Sequence, residues 1–333
     1  MKIIVLTPIR NEEWILDLFL QTCSMFADHI IIADQNSTDR SVEIALKYQK
    51  VVLIRNENLN FNEAERQKLL ISKARELYGL GHFLLALDAD EIIAANSLNV
   101  KGWKVIERAS VGTVFFFDKP TPLYNLTKAL RYKDGFPLGF KDDGSEHIPS
   151  LIHSIRIPTP ANANKIMIQD IVFVHLCFIR PNIQFSKNRY YCVLESISNC
   201  RKVRIRRKMY SFYKPNDYAI GDMGPIEPLW CKAYQDQQIL VKHFIEEPYH
   251  YMDFEVLKIF KQYGEKKFYN DPIWKFDWEK CRKEAINLNI EGIPCRPIER
   301  PSLLRIYILD LVFTIIIKTS TYIRKIQKSL CLR

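Results

Sequence analysis

Short, wholly apolar runs alternate with helix-spaced segments through roughly the first hundred residues. Residues 3–6, 30–33, 51–54 and 82–87 have the length and uniform apolarity of strands buried on both faces. Between them the apolar positions recur at helical spacing: Ile15, Leu18, Phe19, Cys23 and Phe26, then Val42, Ala45 and Leu46, then Leu69, Leu70, Ala74 and Leu77. Glu12 and Glu13 suit the positive end of the first helix, and Ser37, Thr38 or Asp39 can cap the second. Strand and helix alternating at this spacing predict right-handed βαβ units. The expected fold class is therefore α/β, with a mainly parallel Rossmann-like sheet flanked by helices.

In such a sheet the carboxyl ends of the strands face one crevice. The predicted strands end there on Thr7, Asp34 and Asp88. The last exit is the most acidic, since the apolar run 82–87 stops at Asp88-Ala89-Asp90-Glu91. Asp88 and Asp90 lie two apart, so in an extended chain they share one side, and their mutual repulsion is relieved by a hard divalent cation. A solvated acidic turn is the plainer reading of the same letters. Gly79 and Gly81 precede a strand instead of following one, which excludes both the dinucleotide fingerprint and the P-loop. A diphosphate held here needs a metal and basic side chains.

Four stretches carry a resemblance: Leu6-Thr7-Pro8-Ile9-Arg10-Asn11-Glu12-Glu13, Asp34-Gln35-Asn36-Ser37-Thr38-Asp39, Asn62-Glu63-Ala64-Glu65-Arg66 and Leu87-Asp88-Ala89-Asp90-Glu91. In order and spacing they resemble the nucleotide-binding half of a family 2 glycosyltransferase with the GT-A fold, over about a quarter of the chain. The resemblance implies that Thr7 and the loop holding Pro8, Arg10 and Glu12 cradle the nucleotide base. Asp34 would accept a hydrogen bond from that base, Arg66 would reach base or diphosphate, and Asp88 the ribose. Asp90, with Asp88 beside it, would hold Mg²⁺ or Mn²⁺. A later strand ends on His175, followed by Arg180 and Lys187, and this resembles the close of the catalytic domain in one branch of the family. There His175 would complete the metal shell while Arg180 and Lys187 clamp the diphosphate. The implied donor is a nucleotide-diphosphate sugar, a UDP-sugar by preference. Read without the family, Asp34 or Asp39 is a plain helix cap and Arg66 a surface cation.

A helix around Trp103 and Ile106 and a strand over 111–117 follow, and residues 118–160 read as turn-rich. Inverting transfer requires a base beside the acceptor hydroxyl. Asp142, Asp143 and Glu146, in the most polar part of that stretch, are the candidates, although a solvated charged loop has the same composition. Three regions are expected: a catalytic domain over 1–195, an acceptor-side region over 196–300 and a basic amphipathic helix over 301–333.

Composition narrows the partners. The net charge of +10 favours anionic ones. The basic run 201–208, with Tyr210, Phe212 and Tyr213 after it, lacks any recognisable nucleic-acid module, so a membrane-facing or acceptor-phosphate patch is expected and nucleic acid is not. Eight cysteines without C-x-x-C spacing read as reduced thiols. The opening residues read as a strand, not a signal peptide, and no apolar run of spanning length occurs. In 303–330, Asp310, Thr314, Lys318, Thr321, Lys325 and Lys328 define a polar face, with Leu309, Val312, Ile316, Ile323, Ile326 and Leu330 opposite. That pattern predicts either an interfacial helix or one packed on the core. The resulting expectation is a cytoplasmic enzyme, peripherally bound at the inner face of a membrane, that passes a sugar to a glycan or lipid-linked acceptor. Its rivals are a sugar-1-phosphate nucleotidyltransferase, which would want a glycine-rich loop where 7–13 has no glycine, and a non-catalytic basic membrane- or RNA-binding protein.

Overall fold

The computed structural model describes residues 1–56, 62–122, 128–150, 153–198, 201–211, 222–225, 227, 230 and 248–330, with the side chains of 128, 222–225, 317, 318 and 320–330 left out. Phe212, Tyr213, Cys200, Cys231 and Cys331 lie outside the described residues, as do the side chains of Lys318, Thr321, Ile323, Lys325, Ile326, Lys328 and Leu330. Cys23, Cys177, Cys192, Cys281 and Cys295 are free thiols. By its contacts the chain forms two compact units, 1–179 with 219–244, and 180–218 with 245–333.

The first unit is built on a mixed sheet. Strands β1 (Ile3–Ile9), β2 (His29–Asp34), β3 (Val51–Arg55) and β4 (Phe83–Ala86) pair in parallel, in the order β3-β2-β1-β4. They alternate with helices α1 (Glu13–Ser24), α2 (Ser41–Ala45) and α3 (Glu63–Tyr78). The apolar runs form strands because both faces are covered: Ile4, Val5, Ile30, Ile31 and Ile32 are fully buried. Val5, Ile30 and Ile32 pack with Phe19 in one cluster, while Ile4, Leu6, Ile31 and Leu84 pack with Leu70 and Ala74 of α3 in another. Asn62 caps α3 by accepting from the Glu65 amide, and Gly79 closes it at positive φ.

Beyond β4 the sheet continues as β9-β6-β10-β5, where β5 is Glu91–Ile93, β6 Val114–Asp118, β9 Phe136–Lys141 and β10 Lys165–His175. A small second sheet joins β7 (Thr121–Pro122), β8 (Lys128–Arg131) and β11 (Asp222–Pro225). Strand β9 corrects the expectation of a turn-rich stretch over 118–160. It runs antiparallel between β4 and β6. Its composition conceals it, because it contains Pro137 and Gly139. Pro137 sits where the register with β6 shifts, a place a strand tolerates proline. At Gly139 a Cβ would come within 2.5 Å of the Phe83 ring, so a side chain cannot fit there.

The second unit is helical: α5 (Pro181–Ser198), α6 (Val203–Tyr210), α7 (Tyr251–Tyr263), α8 (Trp278–Asn287) and α9 (Leu303–Leu330). Its interior is aromatic, with Phe260 stacked on Trp274 at 5.6 Å and edge-on to Trp278 at 5.1 Å. The basic run of 201–208 is divided: Lys202, Arg204 and Lys208 are exposed, and the remaining three are drawn into ion pairs. Arg206 and Arg207 are buried, the first on Asp271 and the second on Asp310, and Arg201 pairs with the buried Glu195. The buried Asp271 and Glu195 and the half-buried Asp310 claim these guanidiniums because an unpaired charge in such places is costly.

Candidate active site

The site forms at the carboxyl edge of the first unit's sheet. There the loops after β1 and β2 are stitched together: the Asn11 amide donates to Ser37 Oγ at 3.0 Å and the Thr38 amide to Asn11 Oδ1 at 2.8 Å. The Glu13 amide donates to Asp39 at 3.0 Å. Asn11 and Asn36 have φ of 57° and 58°, a left-handed conformation asparagine tolerates. Asp39 is therefore committed to fixing the two loops.

Thr7 is fully buried in β1, and its Oγ1 has no hydrogen-bond partner among the described residues. Pro8 lines a small cleft with Arg66, Gln67, Ala86 and Arg156. Asp34, at the end of β2, is buried and accepts from the Ser37 amide at 3.2 Å. Arg66 on α3 donates to Gln35 Oε1 at 2.8 Å, which places it beside the β2 exit. Arg10 is half-buried in the first loop, and Glu12 accepts from the Trp14 indole at 2.9 Å while its carbonyl starts α1. Arg180 and Lys187 belong to the second unit, the latter with its ammonium 5.6 Å from the Tyr191 ring.

After β4 the chain turns through Asp88–Asp90, the Glu91 amide donating to the Asp88 carbonyl at 3.0 Å, and returns as β5 antiparallel to β10. This pairing sets His175 opposite Glu91. The Leu176 amide donates to the Asp90 carbonyl at 2.8 Å, pinning the acidic turn to the end of β10. As a result Asp90 Oδ2 lies 3.6 Å from His175 Nε2. Burial works against a charged imidazole, yet Cys177 and the Asp90 carboxylate push the His175 pKa up to about 10.

Asp88 and Glu91 are held differently. Arg156 donates to Asp88 at 2.5 Å and to the two oxygens of Glu91 at 2.6 and 3.0 Å. Lys119, just after β6, reaches Glu91 at 2.6 Å. Burial alone would raise the Glu91 pKa, but Arg156 and Lys119 outweigh it and hold the carboxyl well below its usual range. Burial likewise opposes the Arg156 cation, and Asp88 and Glu91 overcome it. Sequence reasoning missed Arg156 and Lys119. The signal that pointed to them was charge balance: a buried strand exit carrying three carboxylates needs cations from elsewhere in the chain.

The three base candidates are not at this edge. Because β9 runs antiparallel to β4, its end delivers Asp142 to the amino edge of the sheet. There the Asp142 amide bonds the His82 carbonyl at 2.8 Å, and both carboxylate oxygens accept from Arg75 at 2.8 and 2.9 Å. Asp142 is fully buried, so it is a structural ion-pair partner. Asp143 follows it and accepts from the Ser145 amide at 2.9 Å. Glu146 is exposed on the same loop, which runs back along α3 to His147, itself 3.1 Å from Gln67. A carboxylate that does stand at the carboxyl edge is Asp118, held by Arg131.

Could these residues hold a divalent metal? Among the described residues no group of three or more His, Cys, Asp or Glu is arranged to hold an ion alone. Asp90 and His175 nevertheless fit one once the imidazole, charged in the metal-free site, gives up its Nε2 proton to the ion: 3.6 Å is too long for a hydrogen bond and short enough for both to reach a shared cation. Asp88 gives one carboxylate oxygen, Oδ2, to Arg156 at 2.5 Å. Mg²⁺-type sites commonly take one or two protein ligands and complete their shell with substrate phosphates and water.

No curated protein matches the chain. The crystal structure of HddC from Yersinia pseudotuberculosis is similar over 53% of this chain and 93% of its own, at 10% identity and a TM-score of 0.31. Residues 4–155 match the family model for glycosyl transferase family 2, and they contain β1 to β4, the acidic turn and β9. The mostly parallel sheet with its flanking helices agrees with a GT-A fold. Residues 4–155 therefore form a family 2 glycosyltransferase domain.

Proposed function

We propose that the domain transfers a sugar from a nucleotide-diphosphate sugar, a UDP-sugar by preference, to a hydroxyl of a glycan or lipid-linked acceptor, with inversion and with a divalent metal. The observation that carries this reading is Asp90 facing His175 across 3.6 Å at the carboxyl edge of the sheet. That edge is where an α/β sheet binds its ligand. When bound, Mn²⁺ or Mg²⁺ would neutralise the charge gathering on the departing diphosphate. The chain's own residues do the rest. Asp34 accepts from the base and Arg66 reaches base or phosphate. The buried Thr7 hydroxyl is an unsatisfied group that a nucleotide or water would satisfy. Arg156 holds Asp88 and Glu91 in place, so Asp88 presents its remaining lone pairs to the ribose.

The test is an assay of the full chain with labelled nucleotide sugars, with and without Mn²⁺. Metal-stimulated donor hydrolysis, or transfer to an added lipid or glycan acceptor, is the expected result. Absence of turnover with every donor would sink the reading, and exchange of pyrophosphate into a nucleotide sugar would mark a nucleotidyltransferase instead.

A further inference from the structure

Within the second unit, α9 packs along one narrow side. Ile306, Leu309, Asp310 and Phe313 are the half-buried positions of its first half, spaced three and four apart. Asp310 is held by Arg207 and by Lys275, the latter at 2.7 Å, and the Arg207 guanidinium lies 5.1 Å from the Phe313 ring. This reverses the assignment of Asp310 to an outer polar face: its ion pairs turn it inward. At about 100° per residue, the positions opposite this seam are Leu304, Ile308, Leu311 and Ile315. They are 68%, 47%, 50% and 57% exposed. Tyr307 and Val312 flank them, also exposed. An uninterrupted apolar row of this kind on an exposed helix face marks an interaction surface.

We propose that this outward face of α9 lies in the surface of an anionic lipid bilayer. Charge selects that occupant over a second copy of the chain. Residues 301–333 carry six basic side chains against one acidic, a net +5 of the chain's +10. The one acid, Asp310, is already neutralised from within the unit. Two copies joined along α9 would bring these like charges together, whereas anionic headgroups oppose each with about 1 kcal/mol of attraction per basic side chain. The helix lies in the plane of the membrane and does not cross it, because among the described residues no helix is long and apolar enough to span. Leu, Ile and Tyr on one side with basic residues along the same helix are what such an in-plane helix uses. The inference stands apart from the reading of the reaction, since it concerns only α9.

Vesicle flotation of the full chain tests it, with phosphatidylcholine alone and with phosphatidylglycerol added. Flotation with the anionic vesicles only, weakened at high salt, is expected. The double variant Ile308→Glu with Ile315→Glu, at positions already in water, should keep the thermal unfolding midpoint and lose vesicle binding at least about tenfold, since each substitution removes an apolar side chain that the bilayer would bury. A charge reversal, Lys325→Glu with Lys328→Glu, leaves the apolar row intact and should also weaken binding to anionic vesicles. No flotation of the wild-type chain, or binding indifferent to both variants, overturns the proposal. So does a concentration-dependent dimer that Ile308→Glu abolishes, which would assign the face to a second copy.

Discussion

Two acidic stretches stand at opposite edges of the same sheet, and in the sequence they look alike. Asp88-Ala89-Asp90-Glu91 follows β4, and Asp142-Asp143 follows β9. Each contains a fully buried carboxylate neutralised by an arginine, Glu91 by Arg156 and Asp142 by Arg75. The difference lies in what is left over. At the amino edge Arg75 takes both oxygens of Asp142, and Asp143 turns to the Ser145 amide. At the carboxyl edge Asp90 faces an imidazole, beside the stitched loops after β1 and β2. Strand direction, not acidity, therefore separates the proposed chemical site from a structural clamp. In an open α/β sheet the strand ends and the helix N-termini converge on one edge only.

The largest effect expected from breaking this comparison is on stability. Glu91→Ala removes the shared partner of Lys119 and Arg156 and leaves Lys119 buried without it. Breaking a buried pair in this way costs about 3–5 kcal/mol. Urea denaturation should show the domain unfolding at much lower denaturant. Asp143→Ala, on the exposed side of the amino-edge stretch, should stay within about 1 kcal/mol of wild type, as surface substitutions usually do.

Activity separates the two edges next. Asp90→Asn keeps the shape of the turn and removes one anionic oxygen from the pair that fits a metal. Turnover should fall at least about a hundredfold, since metal stabilisation of a leaving group is worth several kcal/mol. Its melting curve should be unchanged. Asp142→Asn should do the reverse: it weakens the clamp on Arg75, which is 25% exposed, by about 2 kcal/mol, and leaves turnover per folded molecule at the wild-type level. Equal turnover losses in the two variants, with both proteins fully folded, would erase the distinction between the edges.

How much of this was legible beforehand follows from which signals are local. The strands over 3–6, 30–33 and 83–87 announce themselves because burial on both faces leaves no polar residue inside them, and 51–54, half-buried at the sheet's edge, is still wholly apolar. Strand β9 does not, since Pro137 and Gly139 serve a register shift and a close approach to Phe83 that only the tertiary packing creates. Missing β9 hid its direction, and with it the reason Asp142 stands at the wrong edge to be a base. Asp34, Asp88 and Asp90 were legible as strand exits. Arg156 was not, because it reaches Glu91 across 65 residues of chain from a segment without periodicity. The helix over 303–330 was readable as a helix, but its faces were not. Asp310 counts as polar in any pattern and becomes an inward residue only when Arg207 and Lys275 meet it.

The smallest effect concerns a second pair that the two edges set apart, the histidines. His175 at the carboxyl edge is pushed up to about 10, whereas His147, on the loop leaving the amino edge, is pushed down to about 4. Burial is the main cause for His147, with the Lys68 cation and then Arg75 adding to it. Its neutral ring bonds Gln67 at 3.1 Å in a buried position. A histidine depressed on folding stabilises the fold fully above its unfolded value, near 6.5. Below that pH the unfolded chain takes up a proton that the folded chain refuses, so stability falls until the pH reaches about 4. Between about pH 7.5 and 5.5 this one group should cost about 1 kcal/mol. His147→Gln removes the titration while keeping a hydrogen-bonding side chain toward Gln67. Urea midpoints measured across that interval should therefore decline less steeply in the variant than in the wild type, and parallel declines would show that His147 ionises as freely in the folded chain as in the unfolded one.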